Sequence, residues 1–186
     1  MEAGKDMRGQ GKKAPHPHVV VFPLPYQGHV NPMLQLATFL HSRGFSITVF
    51  HTRFNSPNPS NFPHFIFEPI PDGITEDLLS KEDPITIVDI INDTCRRPFH
   101  DRFSQIATHG PNGPVTCIIT DVMLYFPQAI ADGLQLPRLA LCTSAATSAV
   151  ASRRLRRLKE NGSASMAAAG TCACSANSLI NLDLVK

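Results

Sequence analysis

The stretch His18-Val-Val-Val-Phe-Pro-Leu-Pro-Tyr-Gln-Gly-His-Val-Asn-Pro32 decides the fold. Val19, Val20, Val21 and Phe22 form a short, nearly continuous apolar run. Such a run suits a strand buried on both faces, as in a parallel sheet covered by helices. Pro23 and Pro25 end it, because proline cannot donate to a sheet ladder. A tight loop, Tyr26-Gln27-Gly28-His29, follows. Asn31 before Pro32 reads as a helix start, with Asn as N-cap and Pro at the first helical position. The helix is expected to run to about Arg43, with Met33, Leu36, Ala37 and Leu40 on one face. Gly44 closes it at C′. His29 is thus placed on the turn between a buried strand and a helix N-terminus, where α/β proteins concentrate their chemistry.

The alternation continues downstream. Strands are expected over 45–51, 65–70, 115–121 and 137–142. Pro69 and Pro71 mark the end of the third. The loop 53–63 is rich in Pro, Asn and Ser. The acidic stretch 76–84 reads as a surface loop. A long helix over 85–107 follows, which Pro98 should kink or split. A short helix is expected over 123–134, and another from Thr143. Five strand–helix alternations imply an α/β fold, a Rossmann-like doubly wound parallel sheet with helices on both faces. In the usual strand order 3-2-1-4-5, strands one and four are neighbours. His29, after strand one, and Asp121, ending strand four, then meet at the carboxyl edge of the sheet despite their separation in sequence.

That pairing has chemical meaning. A neutral imidazole is a natural general base for a hydroxyl, and works best when a carboxylate holds its other ring nitrogen. The alternative is a loop histidine beside a carboxylate that caps the next helix. Thr143 and Ser144 could donate hydroxyls into the same cleft, or cap a helix. A dinucleotide site is set against by the first turn, where Gly28 stands without the Gly-x-Gly-x-x-Gly spacing, and by the lack of an acidic residue ending strand two. The remaining histidines read as surface or satisfied loop residues.

Bulk features narrow the class further. The net charge is +2, but residues 18–152 hold seven Lys and Arg against eleven Asp and Glu, a balance of −4. A mildly acidic core argues against a nucleic-acid platform. The basic cluster 153–159 reads as a solvated helix face. No apolar run is long enough to span a membrane. Residues 1–17 are polar and Lys/Gly-rich, without a signal-peptide core, and read as a disordered leader of a cytoplasmic protein. Five cysteines then read as reduced thiols. Cys172-Ala-Cys174 lacks further ligands nearby, so no metal site is expected. Residues 18–151 form the expected domain, and 152–186 a divergent, poorly ordered tail.

Phe22-Pro-Leu-Pro-Tyr-Gln-Gly-His-Val-Asn-Pro-Met-Leu-Gln-Leu-Ala37 resembles the opening of plant UDP-dependent glycosyltransferases of family 1. Gly44-Phe-Ser-Ile-Thr-Val-Phe-His-Thr-Arg-Phe-Asn55, Ile118-Ile-Thr-Asp-Val-Met-Leu-Tyr-Phe126 and Leu141-Cys-Thr-Ser-Ala-Ala-Thr147 extend the resemblance. It implies the N-terminal, acceptor-side half of a GT-B fold. It implies inverting transfer of a sugar, usually glucose, from a UDP-sugar to a hydroxyl of a small lipophilic molecule. The partners are then that acceptor and the UDP-sugar as co-substrate, with no further cofactor. In the family the histidine matching His29 deprotonates the acceptor and the aspartate matching Asp121 supports it. Thr143 matches a residue contacting the donor sugar, and Gly28 lies where backbone approaches the substrates. The family's donor-binding motif begins with tryptophan, and this chain has none. The resemblance also fades after about Val150. The expectation is therefore a truncated form lacking the donor domain, able to self-associate through its exposed interdomain face. A non-catalytic small-molecule binder is the alternative.

Overall fold

The computed structural model describes residues 16–110 and 112–143. The leader before His16, Ser144 and everything after it, including the expected tail and Cys172 and Cys174, lie outside the described residues. In chain order the elements are β1 (His18–Phe22), α1 (Gln27–Ser42), β2 (Ser46–Thr52), a 3₁₀ turn (Pro59–Asn61), β3 (Ile66–Ile70), α2 (Glu76–Lys81), α3 (Pro84–His109), β4 (Val115–Asp121), α4 (Pro127–Gly133) and β5 (Arg138–Leu141). All four strand pairings are parallel, in the order β3-β2-β1-β4-β5. This is the Rossmann-like α/β sheet that the sequence predicts.

The period-two alternation of strand side chains divides the core into two layers. Val19 and Val21 join Ile47, Val49 and Ile119 against Val30, Met33, Leu34 and Ala37 of α1. Val20 and Phe22 face the other way, into a cluster with Phe50, Ile118, the inner face of α3 and Ile130 and Ala131 of α4. Aromatic rings dominate this second layer. Phe99 lies 5.3 Å from Phe22, 4.9 Å from Phe50 and 5.1 Å from Phe103, centroid to centroid.

The structure corrects several sequence expectations. Helix α1 starts at Gln27, with Tyr26 at the N-cap and Pro32 inside the helix. Asn31 is therefore not the cap, and His29 lies in the first helical turn rather than on a loop. Pro32 lies one turn inside the helix, so its missing N–H forfeits the bond to the Gly28 carbonyl. Pro98 likewise lies within an unbroken α3. Strand β3 ends at Ile70 as expected, with Pro69 paired to His51 near the end of the ladder; β3 is an edge strand, where proline is tolerated. The stretch expected as an acidic loop contains α2, capped by Thr75, whose hydroxyl accepts from the Leu78 N–H. Helix α4 begins at Pro127 rather than Met123. His18 and His51 are buried strand residues, not loop residues. His18 is satisfied on both sides: Nδ1–H donates to the Gly113 carbonyl at 3.0 Å, and Nε2 accepts from the Thr48 hydroxyl at 2.8 Å.

Candidate active site

Three neighbouring strands, β1, β4 and β5, deliver their carboxyl ends to one place. The chain leaves β1 through Pro23–Tyr26 and enters α1, which puts His29 in the first turn. Asp121 is the last residue of β4 and is fully buried. Thr143 lies two residues beyond β5.

The topology brings these side chains into contact. His29 Nδ1 lies 2.7 Å from Asp121 Oδ2. A carboxylate partner requires the proton on Nδ1, so Nδ1–H is the donor and Nε2 carries the lone pair. Among the described residues, Nε2 has no hydrogen-bond partner. The Thr143 hydroxyl oxygen is 2.8 Å from the same Nδ1 and acts as a second, shared acceptor. Asp121 also fills the role of the alternative reading. Its Oδ1 accepts from the Met123 N–H at 2.9 Å, holding the turn after β4. One carboxylate thus serves both the turn and the histidine.

The electrostatics oppose one another. The Asp121 hydrogen bond raises the His29 pKa above the ordinary value, burial works against it, and the Asp121 charge adds to the rise. The positive end of α1 favours the neutral ring. The outcome is an imidazole that rests against a carboxylate and becomes a better base because of it.

Neighbouring loops lock this edge of the sheet. Asn55, with a left-handed φ of 51°, donates from its amide to the Pro25 carbonyl at 2.9 Å. Asp72 accepts from the backbone of Phe54 and of Ile74, tying the loops after β2 and β3 together. The Tyr26 ring meets Phe54 edge-on and lies 6.4 Å from the His29 ring. A Cβ at Gly28 would meet nothing within 4 Å, so the space over it is open. Sequence reasoning placed His29, Asp121, Gly28 and Thr143 at this edge. It missed Asn55 and Asp72, whose signals were an Asn after a strand and the Asp-Gly turn after Pro71.

Among the described residues, no group of three or more His, Cys, Asp or Glu is placed to hold a metal ion. Among the same residues no helix is long and apolar enough to cross a membrane. The Cys95 thiol is pushed up to about 12 by burial and by the Asp72 charge, so it is an inert core residue rather than a nucleophile.

No family model matches the chain. UDP-glycosyltransferase 76B1 of Arabidopsis thaliana is 42% identical over 146 residues, covering 78% of this chain and 32% of that protein. Over the matched segment the chain is similar to plant UDP-glycosyltransferases. UDP-glycosyltransferase 76G1 of Stevia rebaudiana is 44% identical over 136 residues, covering 68% of this chain and 29% of that protein. The DIMBOA UDP-glucosyltransferase BX8 of Zea mays is 38% identical, covering 77% of this chain and 33% of that protein. The chain therefore spans about a third of the length of the relatives it matches. Among solved structures, Phytolacca americana UGT2 complexed with UDP-2fluoro-glucose and pterostilbene superposes with a TM-score of 0.64 at 21% identity, over 80% of this chain and 35% of that one. Os79 of O. sativa in complex with UDP gives a TM-score of 0.57 at 25% identity, over 66% of this chain and 28% of that one. The shared architecture is the Rossmann-like half of a GT-B fold.

Proposed function

We propose that this chain supplies the acceptor side of an inverting glycosyl transfer from a UDP-sugar, with glucose as the sugar, to a hydroxyl of a small lipophilic metabolite. The observation that carries the reading is the His29–Asp121 contact of 2.7 Å at the carboxyl edge of the sheet, with Nε2 left unpaired among the described residues. Nε2 accepts the proton of the acceptor hydroxyl as its oxygen attacks the anomeric carbon. The bond from that carbon to the UDP oxygen breaks, its electron pair leaves with UDP, and the configuration inverts. Asp121 holds the tautomer and stabilises the imidazolium that forms. Tyr26 and Met123, half-buried beside the two residues, offer apolar surface to such an acceptor.

Gly28 sits where open space lets a substrate approach the backbone. Thr143, already within reach of the imidazole, is assigned to the donor sugar, and Ser144 to the same subsite. UDP-sugar is a co-substrate here and no further cofactor is invoked. Residues 18–151 are assigned to one acceptor-side domain of a cytoplasmic protein, and its inner face to contact with a donor domain or a second copy.

The test is a graft. Residues 18–143 replace the matching segment of Arabidopsis UDP-glycosyltransferase 76B1, and glucose transfer from UDP-glucose to a panel of small hydroxylated acceptors is followed by mass spectrometry. The reading expects glucosides to form. A folded graft that binds UDP-glucose but glucosylates no acceptor would overturn it.

A further inference from the structure

Asp121 opens a turn that has little regular structure of its own, yet a catalytic carboxylate must be held to a fraction of an ångström. Two polar side chains from separate elements grip this turn. Asn92 of α3 is fully buried. Its Nδ2 donates to the carbonyls of Val88 and Met123, each at 3.0 Å, and its Oδ1 accepts from the Tyr125 N–H at 2.9 Å. Arg138 opens β5. Its Nε donates to the Thr120 hydroxyl at 2.8 Å and its Nη1 to Gln128 Oε1 at 3.1 Å. Its Nη2 donates to the Leu124 carbonyl at 2.6 Å and, more weakly, to the Asp121 carbonyl at 3.5 Å.

We propose that Asn92 and Arg138 are positioning residues for the histidine–carboxylate pair. They clamp the backbone of residues 121–125 from α3 and from β5, so that Asp121 keeps Oδ1 on its own turn and presents Oδ2 to His29. The inference rests on the reading of His29 as base and extends it to residues that touch no substrate. Packing alone could hold a turn more cheaply, since burying an amide and a guanidinium costs solvation that only complete hydrogen bonding offsets. Burial indeed pushes the Arg138 pKa down, against the raising effect of Asp121 and Asp132. Each side chain spends part of its donors on the turn that carries Asp121 and the rest on the elements flanking it, at Val88, Thr120 and Gln128, and neither approaches His29 directly.

The test reads His29 itself by NMR titration of its imidazole in the 186-residue chain. The groups acting on this ring are Asp121 and Thr143 in contact, Tyr26 beside it, and Arg138 behind Asp121. Asp121→Asn serves as reference and should bring the His29 pKa down toward the ordinary value. Arg138→Lys keeps the positive charge but loses the fork, and Asn92→Ala changes no charge. Each folded variant should lower the His29 pKa in the same direction as Asp121→Asn, and by less, because the Asp121 bond loosens. A structural role alone would leave that pKa where it is. If Asp121→Asn lowers it but Arg138→Lys does not, the clamp is refuted and the pair stands. If Asp121→Asn leaves it unmoved, the pair itself fails, and the clamp with it. Should Asn92→Ala fail to fold, Arg138→Lys decides alone.

Discussion

At the residue scale, two histidines carry opposite pH signatures. The folded pKa of His29 is raised, so its protonated form is bound more tightly in the fold than in the unfolded chain. Its contribution to stability is complete below the ordinary value of about 6.5 and is lost as pH rises through the raised value. His18 is the reverse: burial lowers its pKa, so its contribution is present above about 6.5 and is lost as pH falls through the lowered value. Urea unfolding of His29→Gln should therefore show a larger deficit against wild type at pH 5.5 than at pH 8. His18→Gln should show a larger deficit at pH 8 than at pH 5.5. A pH-independent deficit for either variant would remove that residue from the account. The His29–Asp121 pair was legible in the sequence because topology, not spacing, brings it together. Asn92 and Arg138 were not legible, because one polar residue on a long helix and one arginine opening an apolar strand give no signal until their partners are placed.

At the scale of elements, boundaries were the least legible feature. Asn-Pro within α1 reads as a start, yet the helix begins at Gln27 and tolerates Pro32 at the loss of one bond, to the Gly28 carbonyl. The consequence is functional, since it places His29 on a rigid helix rather than on a flexible loop. Gly44, by contrast, behaves as the sequence predicts, with φ +89° at the end of α1. Gly44→Ala should cost about 1 kcal/mol in denaturant unfolding, since only glycine adopts that conformation freely. Pro98 leaves the Thr94 carbonyl without its helical donor. Pro98→Ala is expected to stabilise the protein by about 1 kcal/mol or more in the same measurement, and a loss of stability there would show that the ring itself packs productively. Asp83, exposed before Pro84, caps α3 by accepting from the N–H groups of Ile85 and Thr86. That cap was hidden in the sequence by the acidic run around it.

At the scale of the whole molecule, strand–helix alternation and right-handed crossovers require a parallel doubly wound sheet, and the observed order β3-β2-β1-β4-β5 is one of the common orders that they allow. The two-layer core follows from which valines face which side. The aromatic layer under α3 is the element of stability: Phe99 is fully buried and touches Phe22, Phe50, Phe103 and Phe126. Phe99→Ala should cost about 3–5 kcal/mol, enough to unfold a domain of ordinary stability near physiological temperature. The Glu68–Arg102 fork at the sheet edge, with bonds of 2.8 Å, is partly exposed and should be worth no more than about 1 kcal/mol. The proposed chemistry meets this scaffold at His29. The most direct measurement is the turnover of His29→Ala in the grafted enzyme at saturating UDP-glucose and acceptor. The account predicts a fall of about 10²- to 10⁴-fold with UDP-glucose binding largely retained, because the base acts on the acceptor. Asp121→Ala should lose less, since it acts through the imidazole. Turnover equal to that of the unmutated graft would contradict the account, leaving the imidazole as one more satisfied ring at the edge of a sheet.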